Sequence, residues 1–283
     1  MLVMCSAILY SLGGIGMKMV PWSGLAVNTG RSFFALMVYT LYLTLTHHKP
    51  QMNRWIFFGA AAIAGSSTLY AMANKMTTAA NAIVLQYTAP IFVVILSALF
   101  LRRRPKRLDL GACVVIFLGV LCFFLDSIGG GRIAGDVVAV LSGVLCAVIY
   151  MQNDIPNNDP LSATFWSSIM CILVGMPSFF QQASTVPLDT TAIISLAMLG
   201  TFQMGLAYTL LMLGLRTTPS ITASLISAIE PILNPILVAV FYGEHMGWMS
   251  VLGAFIVIGG VIVYNLLKER SLHRVKSPGN ELE

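Results

Sequence analysis

Ten apolar segments follow one another along the chain, separated by short joints that hold Pro, Gly, Asn or charged residues. Each segment is close to the ~20 residues that a helix needs to cross the hydrocarbon layer of a bilayer. Only 10% of the residues are charged and the mean hydropathy is +0.84, so lipid is the main solvent of the chain. We therefore predict an all-α polytopic membrane protein with transmembrane helices at about 2–20, 24–46, 55–73, 78–101, 108–125, 135–153, 161–180, 190–214, 218–242 and 247–267.

The lysine and arginine residues orient these predicted helices. With the N-terminus inside, twelve of the sixteen Lys and Arg residues fall on the inner side, whereas Lys18, Lys75 and Arg132 fall at outer ends. Short loops rich in Lys and Arg stay in the cytoplasm, so we expect both termini there. The net charge of +5 comes largely from these loops, and binding to nucleic acid is not expected. The first segment lacks the basic region and cleavage site of a signal peptide and is kept as a helix.

The two halves of the chain are related by a diverged internal repeat. A shift of 141 residues places Pro90 on Pro231 and Gln86 on Ser227. Each copy contains five helices, an odd number, so the second copy must insert upside down relative to the first. The predicted units are two inverted five-helix repeats and a cytoplasmic tail: 1–125, 135–267 and 268–283.

The ninth segment combines an ionisable side chain with two helix breakers. Glu230 lies about halfway along it and is followed by Pro231 and Pro235. A carboxylate at that depth costs at least ~2.5 kcal/mol unless it is paired, neutralised or in contact with water. Proline has no N–H to donate, so the carbonyl oxygens of Ser227 and Pro231 become available within the membrane. With the matched Pro90, these helix-interrupting prolines predict a polar substrate cavity near the membrane midplane.

Two charged side chains are the main candidate substrate contacts. Glu230 can bind a substrate ammonium group or carry a proton, or it can be a protonated residue that only hydrogen-bonds a neighbouring helix. Arg31 lies ~10 Å inside the second segment and can hold a substrate carboxylate, reach the interface or form a fixed ion pair. A cavity lined by both charges suits a zwitterion such as an amino acid.

Other polar side chains lie at depths where such a cavity is expected. Each is a candidate substrate contact or an interhelical hydrogen-bond partner: Gln86, Tyr87, Asn81, Ser227, Gln203, Tyr208 and Tyr70. Tyr10, Tyr150 and Trp166 can stack on a substrate but are more often packing residues or interface anchors.

Several stretches, in a fixed order, are similar to those of one family of carriers. They are YSLGGIGMK at Tyr10 to Lys18, GRSFFAL around Arg31, TTAANAIVLQYTAPIF, RRRPKR, GDVVAVLSGVLCAVIY and IEPILNPILVAVFYGE. Together they resemble the EamA-type branch of the drug/metabolite transporter superfamily. The resemblance implies two EamA repeats and the export or exchange of small metabolites across a bacterial inner membrane. Tyr10 and Ser11 replace the usual Trp-Gly of that family, and the seventh segment has no arginine that matches Arg31.

The expected function is secondary active transport, with export of small metabolites such as amino acids by alternating access. Carriers of phosphorylated or nucleotide-linked solutes, carriers of lipophilic cations, and a structural or receptor-like membrane protein remain as alternatives. An enzyme is not expected, because the histidines fall in loops or the tail and no carboxylate pair lies at depth. No metal or cofactor is expected. The expected partners are a small-molecule substrate and the lipid bilayer, with protons and a second copy of the chain left open.

Overall fold

The computed structural model describes residues 1–102, 107–128, 132–243 and 247–276. Within these ranges the chain is helical and contains no strand, which confirms the predicted all-α class. The α-helices are α1 (Leu2–Tyr10), α2 (Gly13–Met19), α3 (Gly24–Leu45), α4 (Arg54–Met76), α5 (Ala79–Gln86), α6 (Ala89–Phe100), α7 (Arg107–Ile128), α8 (Ile133–Tyr150), α9 (Pro160–Thr185), α10 (Thr190–Met198), α11 (Ala207–Leu215), α12 (Ser220–Ile226), α13 (Glu230–Tyr242) and α14 (Trp248–Lys276). A 3-10 helix at Gln152–Asp154 follows α8.

The helices have the length and apolar surface of a multi-pass membrane protein. In the part of the chain that the structure describes, six segments are long and apolar enough to cross a bilayer: Leu2–Met19, Arg54–Met76, Ala79–Phe100, Ile133–Tyr150, Pro160–Thr185 and Thr190–Leu215. The other four predicted segments are also helical, as α3, α7, α12 with α13, and α14. Large apolar side chains are exposed on the outside of the molecule, among them Leu41, Phe58, Phe100, Leu173 and Phe255. A surface of this kind is stable in contact with lipid.

Short polar side chains fix the points at which several helices begin. Ser23, Asn53, Thr78, Asp159 and Asp189 each precede a helix and accept a hydrogen bond from an N–H of its first turn. These bonds satisfy backbone donors that have no partner inside the helix. The observed starts nearly coincide with the predicted boundaries, because the same joints that break the apolar pattern also supply the caps.

Four of the apolar segments are interrupted along their length. The first is divided between α1 and α2, and the fourth between α5 and α6 at Tyr87 and Thr88. A π-helix at Leu199–Leu206 joins α10 to α11, and a 3-10 helix at Ser227–Ile229 joins α12 to α13. Pro90 and Pro231 lie in the first turns of α6 and α13, directly after two of these interruptions.

Pro235 does not interrupt its helix, in contrast to the prediction. The helix α13 continues through it to Tyr242. Pro235 removes one backbone hydrogen bond, to the carbonyl of Pro231, and a helix packed against its neighbours tolerates the loss of a single bond. The interruption in the ninth segment therefore lies entirely before Pro231.

The two halves of the chain exchange contacts through their first helices. The first-half helix α1 packs against α11 and the 3-10 helix at Ser227–Ile229, and α2 packs against α13. In return, α8 packs against α4, α5 and α6. The helix α3 packs against α9 and the π-helix, whereas α7 and α14 pack mainly on each other. The interrupted segments are thereby brought together in the middle of the molecule.

Candidate substrate-binding cavity

A small cavity lies where the interrupted segments meet. Its walls carry two charged side chains, two amides and five tyrosines, together with smaller groups: Arg31, Glu230, Gln86, Gln203, Tyr10, Tyr70, Tyr87, Tyr150, Tyr208, Ser67, Ala89, Cys146, Ile149 and Leu211. The cavity volume is about 40 Å³, enough for a few water molecules and well below the roughly 300 Å³ of a small ligand site. An organic solute enters only if the surrounding helices move apart.

Arg31 is buried on α3 and is held by neutral partners. Its Nε and Nη2 donate to Oδ1 of Asn28 at 3.0 and 2.8 Å, and its Nη1 donates to Oε1 of Gln203 at 2.9 Å. Nη2 also donates to Oγ of Ser67 on α4 at 2.8 Å. In the described part of the chain no carboxylate lies within ion-pair distance of this guanidinium. Its position is fixed, and its charge remains uncompensated.

The π-helix explains how Gln203 reaches Arg31. A π turn is wider than an α turn and is frequent at functional sites. Gln203 lies in this turn, lines the cavity and accepts from Nη1 of Arg31. Gly200, in the same turn, allows the close approach of the two helices, because a Cβ there would lie 2.3 Å from the carbonyl oxygen of Arg31.

Glu230 begins α13, directly after the 3-10 helix. The hydroxyl of Tyr87 lies 3.1 Å from Oε2 of Glu230 and donates to the carbonyl oxygen of Ser227. The same carbonyl accepts the backbone N–H of Glu230, which closes the 3-10 turn, and residue 231 cannot add the α-helical bond because Pro231 lacks an N–H. Tyr87 thus connects the interruption of the fourth segment to the carboxyl and to a backbone oxygen of the ninth.

The five tyrosines make up much of the cavity wall. The rings of Tyr10 and Tyr208 meet edge to face, with centroids 5.1 Å apart. The hydroxyl of Tyr10 has no hydrogen-bond partner among the described residues, and Tyr70 contacts the amide of Asn234 at 3.5 Å. Aromatic faces are electron-rich and attract cations. This wall therefore favours a positively charged group in the neighbourhood of Glu230.

Comparison with known proteins identifies the family of this chain. The profile of the EamA-like transporter family matches residues 1–125 and 133–266. The chain belongs to the EamA-like transporter family. This confirms the resemblance drawn from the sequence, and the protein is a multi-pass membrane protein of a transporter family.

The relatives of this EamA-like chain are distant but cover most of its length. An uncharacterized transporter of Clostridium kluyveri is 24% identical, over 75% of this chain and 71% of the relative. The uncharacterized inner membrane transporter YicL of Salmonella typhimurium is 23% identical, over 81% of this chain and 78% of the relative. A solved crystal structure is similar in fold, with a TM-score of 0.68 at 16% identity over 94% of this chain and 96% of that chain.

Most of the predicted substrate contacts of this EamA-like protein lie on the cavity: Arg31, Glu230, Gln86, Tyr87, Gln203, Tyr208 and Tyr70. Ser227 takes part through its carbonyl oxygen, which accepts from Tyr87. Asn81 does not line the cavity; it is buried in the first turn of α5, where its N–H is capped by Thr78. Pro90 borders a separate small space beside α7 and α14, so it acts on the backbone only.

Sequence reasoning missed Asn28 and Ser67 and gave too little weight to Tyr10 and Tyr150. Asn28 and Ser67 hold Arg31, and both tyrosines line the cavity. Asn28 lies three residues before Arg31, so helical spacing places both on one face of α3, and that signal was available. No comparable pattern indicates that the end of α8 places Tyr150 at the cavity.

Proposed function

We propose that the protein is a secondary active transporter that exports a small zwitterionic metabolite, such as an amino acid, by alternating access. The observation that carries this proposal is the presence of Arg31 and Glu230, both buried, on one cavity. A buried charge is stable only when a partner compensates it, and the two charges do not pair with each other among the described residues. A zwitterion supplies both missing partners, an ammonium for Glu230 and a carboxylate for Arg31.

The hydrogen bonds of Tyr87 favour proton coupling through Glu230. Its hydroxyl has one hydrogen but contacts two acceptors, the Ser227 carbonyl and Oε2 of Glu230. When Tyr87 donates to Ser227, the contact with Glu230 is favourable if Glu230 carries the proton and donates to the phenolic oxygen. A substrate ammonium then displaces that proton, which links substrate binding to proton release.

Contacts between the two halves at both ends of the molecule support alternating access. At one end, Nε2 of His48 lies 2.6 Å from Oδ2 of Asp159. At the other end, the indole N–H of Trp22 donates to the carbonyl oxygen of Val186 at 2.9 Å. Opening either end breaks one set of contacts and keeps the other, which is the behaviour that a carrier with one central site needs.

The architecture that we propose is ten membrane-spanning helices in two inverted repeats, 1–125 and 135–267, with both termini in the cytoplasm. The reciprocal packing of α1 and α8 and the matched interruptions before Pro90 and Pro231 support it. The cell (inner) membrane is the proposed location, in agreement with the name of the Salmonella relative.

A carrier of lipophilic cations is the second candidate, because five tyrosines and Glu230 line one cavity. The uncompensated guanidinium of Arg31 disfavours it, since a cation gives Arg31 no partner. A phosphorylated or nucleotide-linked solute fits less well, because Arg31 is the single basic side chain among the described residues that line the cavity.

Counterflow in proteoliposomes tests the proposal. The purified protein is assayed with labelled amino acids, a nucleotide sugar and a lipophilic cation at two pH values, beside the variant Glu230→Gln. We expect uptake of at least one amino acid and its loss in a variant that remains folded. Uptake of the cation alone would favour the second candidate. Absence of any flux would favour a structural or receptor-like role.

A further inference from the structure

Two buried asparagines next to the cavity have hydrogen-bonding groups that no described residue satisfies. The amide oxygens of Asn74 on α4 and Asn234 on α13 have no hydrogen-bond partner among the described residues. Both side chains are fully buried. An unpaired amide in a low-dielectric interior is strongly unfavourable, and such groups usually mark a place where water or a ligand binds.

Both asparagines lie next to Tyr70, on the same side of the cavity. Tyr70, which lines the cavity, adjoins both amides, with its hydroxyl 3.5 Å from Nδ2 of Asn234. Asn74 lies one helical turn, ~6 Å, beyond Tyr70 on α4, and Asn234 lies one turn beyond Glu230 on α13. A polar side chain therefore follows the cavity on each of two helices from opposite halves of the chain.

An open vestibule lies beyond the asparagines. It measures about 590 Å³, and its walls include Lys18, Trp22, Lys75 and Asp189; we call it the lysine vestibule. Lys75 directly follows Asn74 in the sequence. The Nζ of Lys75 donates to the carbonyl oxygen of Val20 at 2.6 Å. Two lysines against one aspartate give this space a positive balance, which favours a carboxylate.

The first apolar segment lies along the same path. Tyr10, at the end of α1, lines the cavity, and on α2 Gly14 lies beside Asn234 and Lys18 lines the lysine vestibule. A Cβ at Gly14 would lie 2.1 Å from Oδ1 of Asn234, so only a glycine permits this approach. A movement of α2 away from α13 would therefore uncover the amide oxygen of Asn234.

We propose that Asn74 and Asn234 form a transit site between the cavity and the lysine vestibule, through which a zwitterion passes. The proposal rests on the transport function proposed above. The amide oxygens accept hydrogen bonds from the ammonium group of the solute, while the two lysines face its carboxylate. The unpaired amides are then explained as groups whose partner is present only during passage.

Separate measurements of binding and of transport test this role. In proteoliposomes, Asn74→Leu is expected to lower the maximal rate of amino-acid counterflow at least about tenfold and to change the dissociation constant less than about twofold. Leucine keeps the approximate volume but offers the passing ammonium no acceptor. Normal transport by the variant, or an equal loss of binding and transport, would overturn the proposal.

Ser168→Ala is the matched control. Ser168 on α9 is fully buried and its hydroxyl also has no partner among the described residues, yet it lines neither the cavity nor the lysine vestibule. We expect this variant to bind and transport as the unmodified protein does. An equal decrease of transport in both variants would assign the effect to buried polar groups in general and would also overturn the transit site.

Thiol labelling tests the route without any substrate. Asn74→Cys, Asn234→Cys and Ser168→Cys are treated with a membrane-impermeant methanethiosulfonate, in intact cells and in inside-out vesicles. Peptide mass spectrometry quantifies each position separately from the native cysteines. Positions 74 and 234 are expected to react from one side only, at least about tenfold faster than position 168. Equal rates at all three positions would exclude the route, whereas labelling as expected without any amino-acid flux would reject only the proposed function.

Discussion

The fourth and ninth apolar segments are both interrupted directly before a proline, but they use the interruption differently. Before Pro231, the carbonyl oxygen of Ser227 accepts the hydroxyl of Tyr87 in addition to the backbone N–H of Glu230. Tyr87 itself lies at the interruption before Pro90, between α5 and α6. One segment therefore supplies a backbone acceptor, and the other supplies the side-chain donor that reaches it.

The fourth segment covers its own freed oxygen by packing. The carbonyl of Gln86 lies against α8, where a Cβ at Gly143 would come within 2.7 Å of it and within 2.6 Å of Oγ1 of Thr88. Its counterpart to Glu230 is Ala89, which lines the cavity without a charge. Both segments are thus broken before a proline, but only the ninth carries an ionisable group at the break.

The largest expected effect comes from removing the group that distinguishes the two segments. Glu230→Gln keeps the size of the side chain but removes its negative charge, so we expect counterflow to fall more than about 100-fold. The melting temperature in detergent should change little, because a neutral amide is less costly to bury than a carboxylate. Transport within about twofold of the unmodified protein would show that Glu230 has only a structural role.

Gly143→Ala tests the close packing that covers the fourth segment. The added methyl group meets a backbone oxygen and a threonine hydroxyl, so the variant should lose about 1–3 kcal/mol of stability. Gly111→Ala is the control, since a Cβ there meets nothing within 4 Å and alanine favours helices by up to ~1 kcal/mol. Thermal unfolding in detergent measures both. If the two variants melt alike, α8 does not hold this segment tightly.

Tyr87→Phe breaks the link between the two interruptions. The variant loses the hydroxyl that donates to the Ser227 carbonyl and contacts Glu230, at a cost of about 1–1.5 kcal/mol, and we expect counterflow to fall about tenfold. Tyr39→Phe also removes a buried hydroxyl, which donates to the carbonyl of Met204 at 2.8 Å, but Tyr39 does not line the cavity. That control should lose stability and keep its transport rate. Similar counterflow rates in Tyr87→Phe and Tyr39→Phe would show that Tyr87 takes no part in transport.

The sequence predicts depth along a helix much better than rotation about it. The rise of ~1.5 Å per residue is enough to place Arg31 and Glu230 at similar depths. Asn81 and Gln86 lie in the same short helix, α5, yet only Gln86 lines the cavity. Which face of a helix turns inward depends on its neighbours, and these are set by close contacts such as that of Gly143 with Thr88.

Two of the four interruptions were visible as prolines, but the other two and the aromatic lining were not. Proline acts locally through its missing N–H, so its effect on the backbone is readable at Pro90 and Pro231 without any tertiary information. The tyrosines come from segments that are far apart in sequence, as with Tyr10 and Tyr208, whose rings meet edge to face. Only the packing of α1 on α11 brings these two together.

The smallest expected effect is the difference in counterflow between alanine substitutions at Pro231 and at Pro90. Pro231→Ala restores an N–H that competes with Tyr87 for the Ser227 carbonyl, so we expect counterflow to fall about threefold. Pro90→Ala restores an N–H toward the Gln86 carbonyl, which packs against α8 and not against the cavity, and its rate should stay within about twofold. Equal decreases would mean that both prolines act through helix geometry alone. A decrease confined to Pro231→Ala would instead show that the bond of Tyr87 to the Ser227 carbonyl, and not the bend, is what the ninth segment contributes to transport.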